Sequence, residues 1–199
     1  MTYLIVRGVL AIADFFLHMQ DYLQAILQQY GTLTYGILFL VILAETGLVV
    51  FPFLPGDSLI FTAGTFAGLG AFDVWVLFGV LALAAIIGDT MNYHIGRRLS
   101  KTLFTEESRI FKKKYLLRTE KFYAKHGSRT IVLARFVPVL RTFAPCVAGM
   151  GGMHYSKFLA YNIFGGVLWV GLFTFSGYFF GSLLIVQENF GTVIIGIIL

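Results

Sequence analysis

Four ionisable side chains sit where the sequence is otherwise apolar: Glu45 and Asp57 within residues 30–72, and Arg135 and Arg141 within residues 130–152. A charge at the centre of a membrane helix costs about 2.5–3.5 kcal/mol on insertion scales, so four unpaired ones would cost roughly 10–14 kcal/mol. That matches the whole stability of a typical domain, ~5–15 kcal/mol. These residues must therefore pair, meet water or, for the acids, bind protons. The acids lie on one segment and the arginines on the other, so mutual neutralisation where the segments meet is the natural solution. Arginine offers a rigid fork of donors suited to phosphate and keeps its charge at any physiological pH. Carboxylates in a poorly hydrated site can load protons near neutrality. Such a set could exchange an internal counter-ion for an anionic substrate while proton movement keeps the charge balanced. The same residues also suit a fixed latch whose salt bridges only hold two segments together. Asp89 is a secondary candidate counter-charge, since it could equally pair with Arg97 or Arg98 or face interfacial water.

The rest of the chain says what must position these residues. Of 199 residues 58% are hydrophobic and 13% charged, against roughly 45–50% and about 25% in soluble domains. A soluble fold and a disordered chain are both excluded on this ground. The apolar residues come in continuous runs rather than in alternation, which argues against a β-barrel and for α-helical spans of ~20 residues. The net charge of +5 is unevenly placed: eleven Lys and Arg fall within 97–129, and none lies between Arg7 and Arg97 or after Lys157. The positive-inside rule puts that basic segment in the cytoplasm. A nucleic-acid partner is not favoured in so apolar a chain, and the single Cys146 cannot form an internal disulfide.

The expected fold is an all-α polytopic membrane protein in one domain. Residues 1–28 form an N-terminal amphipathic or first helix. Residues 30–72 form a re-entrant hairpin, two short apolar arms broken at Pro52, Pro55 and Gly56, and 74–96 is a transmembrane helix. The basic segment 97–129 is a loop or a surface helix on which Phe111, Tyr115 and Phe122 recur at helical spacing. A second re-entrant hairpin follows at 130–152, broken at Pro138 and Pro145, then a transmembrane helix at 155–186 and the start of a last helix at 190–199. Non-helical backbone at membrane depth is tolerated only when buried in protein or lining a cavity.

Hairpin followed by span thus occurs twice. Ala63-Gly64, Tyr93 and Gly96 echo Ala148-Gly149, Tyr178 and Gly181 at a constant offset of 85. With 97–129 cytoplasmic, the hairpins open to opposite sides and the halves form an inverted repeat, the pattern that points to a secondary transporter's binding site. Other signals are poor. His94, His126 and His154 lack metal-ligand spacing, no phosphate loop or nucleophile–base pair is present, and Trp75 and Trp169 read as interfacial anchors and packing residues. No metal or cofactor is implied and an enzyme is not favoured.

Three stretches carry a resemblance: Glu45-Thr-Gly-Leu-Val-Val-Phe-Pro-Phe-Leu-Pro-Gly-Asp57, Gly88-Asp89-Thr-Met-Asn-Tyr93, and Ala134-Arg135-Phe-Val-Pro-Val-Leu-Arg141-Thr-Phe-Ala-Pro145. They resemble the DedA family of bacterial inner-membrane proteins, also described by a SNARE-associated or VTT domain, over nearly the whole chain. The resemblance implies two re-entrant hairpins in an inverted arrangement, functional acids at Glu45 and Asp57, and functional arginines at Arg135 and Arg141. It also implies a link to recycling of the carrier lipid undecaprenyl phosphate and to envelope maintenance that depends on the proton motive force. The reading that follows is a lipid-phosphate translocase. Arg135 and Arg141 would bind the head group of a polyisoprenoid phosphate, with Glu45 and Asp57 as proton-linked counter-charges. Membrane lipids and protons are then the partners, and a homo-oligomer is compatible with the sequence. Two alternatives remain: a proton-coupled antiporter of small cations or drugs, and a non-transporting assembly or scaffold protein.

Overall fold

The computed structural model describes residues 19–47, 56–103, 129–181 and 183, and within these it is all-helical. Helix α1 spans Met19–Tyr30, and a single 3-10 turn, Gly31–Leu33, leads into α2, Thr34–Gly47. Then come α3 (Gly56–Gly68), α4 (Val74–Leu103), α5 (Arg129–Ala134), α6 (Pro138–Met150) and α7 (Tyr155–Phe180). Three stretches are long and apolar enough to cross a membrane: Asp21–Gly47 of 27 residues, and Val74–Leu99 and Tyr155–Phe180 of 26 each. At 1.5 Å per residue these reach ~40 Å, more than the ~30 Å hydrocarbon core. By the same arithmetic the 13-residue helices α3 and α6 reach ~20 Å and cannot cross alone.

The boundaries follow local chemistry. The expected junction near residue 29 coincides with the 3-10 turn, where Gly31 has a φ of +53°, yet Thr34 N–H bonds back to the Gly31 and Thr32 carbonyls and the apolar stretch continues. Asp73 caps α4, its carboxylate accepting from the Trp75 and Val76 amides, both at 2.9 Å, which satisfies donors that a helix start leaves open. Helix α4 runs past the expected end at 96 to Leu103 because Arg97-Arg98-Leu99 contains no helix breaker. In the second hairpin segment the break falls at residues 135–137. Proline disfavours helical geometry in the residue before it, Val137 is extended (φ −117°, ψ 111°), and Pro138 opens α6 at its first turn. Pro145, expected to break the segment, lies inside α6 instead. It withholds only its own N–H, which a membrane helix packed in protein tolerates.

The described residues fall into two compact units, one drawn from Met1–Leu38, Pro55–Leu81 and Gly171–Leu199, the other from Phe39–Leu54 and Ala82–Val170. Within the first, α3 lies on the last turns of α7. A Cβ on Gly64 would strike the Thr174 carbonyl and one on Gly177 the Phe61 carbonyl. Phe175 packs there against Trp75 and Phe78, with ring centroids 5.4 and 5.5 Å apart. Within the second unit, α6 lies on α4 in the same manner, Gly149 against the Tyr93 carbonyl and Gly96 against the Cys146 carbonyl. Tyr93 stacks on Phe158 at 4.4 Å, in a buried cluster with Ile131 and Ala148. Lipid tails are as apolar as side chains, so close backbone approach through small residues is what holds membrane helices together. Gly64 and Gly149, partners in the 85-residue echo, thus each seat a short helix on a long one.

Residues 1–18 of the expected first helix, Pro52 and Pro55, residues 104–128 with Phe111, Tyr115 and Phe122, and the expected last helix at 190–199 lie outside the described residues. Gly64→Val and Gly149→Val should each destabilise the protein by about 1–3 kcal/mol through overpacking, read as a lower unfolding midpoint in detergent. Gly79→Ala, where an added Cβ meets no atom within 4 Å, should leave the midpoint unchanged or raise it.

Candidate functional site

In the second unit five elements converge. The last turn of α2 brings Glu45 and Thr46, and the middle of α4 brings Asp89, Thr90 and Asn92. The turn after α5 brings Arg135, α6 brings Arg141 and Thr142, and α7 brings Asn162 and Trp169. Spacing on α4 accounts for part of this: Asp89 and Asn92 are three residues apart and so share a face. The Arg135 amide donates to the Val132 carbonyl at 3.2 Å, closing the turn that Pro138 enforces and carrying the guanidinium off the end of α5.

Two ion pairs form. Arg135 Nη2 donates to Asp89 Oδ2, and Arg141 Nη2 donates to Glu45 Oε1. Glu45, Asp89 and Arg135 are only 3–4% exposed. Arg135 Nη2 also donates to Asn162 Oδ1, while the Asn162 amide donates to the Ile86 carbonyl at 3.0 Å and to Thr90 Oγ1 at 3.2 Å. One fully buried carboxamide therefore holds the guanidinium and ties α7 to α4. Asn92 plays a matching part: its amide donates to the Thr46 carbonyl at 3.2 Å and the Thr142 carbonyl at 2.8 Å, joining the end of α2 to α6. The guanidinium carbons of Arg135 and Arg141 lie 5.9 and 5.0 Å from the ring centre of buried Trp169, within cation–π range. Two like charges thus share one electron-rich ring.

Glu45, Thr46, Asp89, Arg135, Arg141, Thr142 and Trp169 line a cavity of about 10 Å³. That holds roughly one water molecule and is far too small for a phosphate group. Arg135 Nε, on a lining residue, is buried with no hydrogen-bond partner among the described residues, leaving a donor for such a guest.

The expected pairing of the first hairpin's acids with the second hairpin's arginines is met in half. Glu45 does bind Arg141. Asp57, at the first turn of α3, is buried in the other unit and takes no part in these two ion pairs. Its place is filled by Asp89, which pairs with Arg135 rather than with Arg97 or Arg98; those follow two turns later on α4, about 12 Å along the axis. Trp169, read as an anchor, is 1% exposed and carries both guanidiniums. Asn92, Asn162 and Trp169 are the participants that sequence reasoning missed. The usable signal for the first was an amide three residues after an acid inside an apolar run.

These observations define a helical membrane protein whose polar centre pairs acids of two spanning stretches with arginines of the short segments between spans. Residues 54–179 match the VTT domain, and the chain belongs to the VTT-domain (DedA) family, as a multi-pass inner-membrane protein. It is 53% identical over 188 residues to Protein DedA of Escherichia coli (strain K12), covering 93% of this chain and 86% of that protein. It is 46% identical over 166 residues to the uncharacterized membrane protein Rv0364 of Mycobacterium tuberculosis, covering 82% and 72%. Inner membrane protein YqjA of Escherichia coli is 32% identical over 149 residues, covering 74% and 68%. No solved structure matches the chain.

Arg135→Gln strands the Asp89 charge and should cost about 3–5 kcal/mol. The double variant Asp89→Asn/Arg135→Gln should recover most of that loss, giving a clear coupling energy in a thermal-unfolding cycle. Trp169→Leu should cost about 1–2 kcal/mol beyond lost packing, from the two cations it serves, and that excess should shrink when Arg141→Gln is already present.

Proposed function

We propose that the protein is a transporter of lipid phosphate, in which Arg135 and Arg141 exchange their carboxylate partners for a phosphate head group. The observation that carries this reading is the convergence of two guanidiniums on one Trp ring beside a water-sized cavity. Guanidinium forks match phosphate oxygens as well as they match carboxylates. Glu45 and Asp89 then act as stand-ins for the substrate when the site is empty, and proton uptake by the released acids keeps the buried charge balanced. Asp57, one unit away in the fold, serves as a further proton-linked group.

The architecture supports alternating access. Helices α5 and α6, six and thirteen residues long, fit a re-entrant hairpin that enters and leaves on one side, and α3, also thirteen residues long, fits an arm of a second. The α3-on-α7 and α6-on-α4 crossings, each seated by an echoed glycine, fit two inverted halves. The positive-inside rule assigns the Arg97-Arg98-Lys101 end of α4 to the cytoplasm. A cavity of this size is a closed state, so a head group is admitted only when α6 and the end of α2 part.

The test is reconstitution of the purified full chain into vesicles with a fluorescent polyprenyl phosphate whose outer-leaflet fraction is bleached by dithionite. The chain should accelerate flipping over protein-free vesicles, and more so with a pH gradient. Arg141→Lys keeps the charge but loses the planar fork and should slow flipping about tenfold or more, as expected for one lost charged hydrogen bond of ~1.5–3 kcal/mol. Full flipping with Lys at both 135 and 141, or a pH-driven cation flux with no lipid movement, would overturn the reading.

A further inference from the structure

The second unit holds another hollow, distinct in chemistry from the charged cavity. It is an apolar groove of about 400 Å³ between two spanning helices, lined by Ile86, Ile87, Thr90, Met91 and His94 of α4 and by Tyr155 and Leu159 of α7. Isolated apolar side chains facing lipid are ordinary in a membrane protein. Here the surface is concave, and His94 and Tyr155 add polar groups to an otherwise mostly apolar lining. Ile87, Met91, His94 and Arg98 fall at i, i+4, i+7 and i+11, so they form one stripe along α4. The stripe begins in aliphatic residues and finishes in an imidazole and a guanidinium. Tyr155 closes the same end, its ring 5.2 Å from that of His94. His94 Nδ1 lies 2.8 Å from the Thr90 carbonyl; a carbonyl only accepts, so Nδ1 carries a proton, and Nε2 donates to a phosphate oxygen when the ring is doubly protonated.

Charge at that end is of one sign. From residue 90 to the end of α4 at 103 there is no acid, while Arg97, Arg98 and Lys101 are present, and α7 opens with Lys157 and contains no acid. Basic pockets between membrane helices on the cytoplasmic side hold anionic head groups. An occupant with a long apolar body and one anionic end fits this surface.

We infer that the α4–α7 groove binds one hydrocarbon chain of a membrane lipid whose phosphate head group lies against His94, Tyr155 and Arg98. The floor of the groove joins it to the charged cavity. Ile86 and Thr90 supply the carbonyl and the hydroxyl to which Asn162 donates, and Asn162 in turn accepts from Arg135. A lipid held here has its chain one residue layer from the ion pairs, a waiting position beside the site. That waiting role rests on the transport reading above; occupancy of the groove does not.

The experiment uses the full chain in nanodiscs containing a phosphatidylglycerol with a diazirine in one acyl chain, and in parallel a diacylglycerol with the same chain but no phosphate. After irradiation, mass spectrometry of the peptides should place the phosphatidylglycerol adducts on residues 86–94 and 155–159, with far fewer from diacylglycerol. Met91→Trp fills the groove and should cut this labelling about tenfold, with Ile87→Trp as the second variant should the first not fold. His94→Ala/Arg98→Ala should remove the preference for the phosphate-bearing probe. Equal labelling by both probes, adducts spread over the helices without enrichment here, or labelling unchanged by Met91→Trp and Ile87→Trp would overturn the inference. Arg141→Lys separates the two readings: it should slow flipping yet leave groove labelling intact. Labelling confined to the groove by a protein that flips nothing would sink the transport reading alone.

Discussion

The cost of placing charge in hydrocarbon organises this protein. Glu45, Asp89, Arg135 and Arg141 come from four different elements, and none is tolerable alone at its depth of burial. Each must be met by an opposite charge at hydrogen-bonding distance, and that requirement dictates where α2, α4, the α5–α6 turn and α6 end up. A buried ion pair is weak evidence for stability, because hydrophobic residues of equal volume often do as well. The proposed transport function gives four such residues around one cavity a reason that stability alone does not. The neutral members set the geometry of the charged ones. Asn162 fixes Arg135 to α4 and α7, Asn92 fixes the end of α2 to α6, and Trp169 gives both guanidiniums a surface that needs no proton.

Glycine contacts supply the complementary constraint. The short helices α3 and α6 do not cross a bilayer, so they owe their position to the long helices they lie on. Backbone-to-backbone approach at Gly64 and Gly149 gives them van der Waals contact that larger residues would prevent. The same crossing holds Tyr93 rigidly beside the charged centre, one residue from Asn92.

Much of this was legible in the residues themselves. Continuous apolar runs gave two of the three spans, at 74–96 and 155–186, while the third, Asp21–Gly47, reads in the sequence as divided between a first helix and a hairpin arm. The conflict between four charges and those runs gave the site, and Pro138 marked the start of α6 through its effect on Val137. What could not be read was which acid meets which arginine. Asp89 looked able to reach Arg97 or Arg98 along its own helix, and only the packing of α4 against α7 and the turn at Arg135 turns it inward. Trp169 was hidden for a similar reason: a Trp in a span suits an interface anchor equally well until its depth is known. Asp57 was paired by proximity in sequence with Glu45, yet it lies in the first turn of a new helix, α3, and belongs to the other unit.

Pro145 carries a consequence for how α6 can move. An unbroken helix resists bending because each carbonyl is claimed by the amide four residues on. At Arg141 the residue four places later is a proline, so the ladder there has no amide to lose. A joint is thus built into the turn that bears the Glu45-bound guanidinium. Swinging that turn away from Glu45 uncouples a side chain without unzipping a helix, whereas on the other flank the amide of Asn92 keeps Thr142 moored to Thr46. Compliance and anchorage thus lie on adjacent residues of α6.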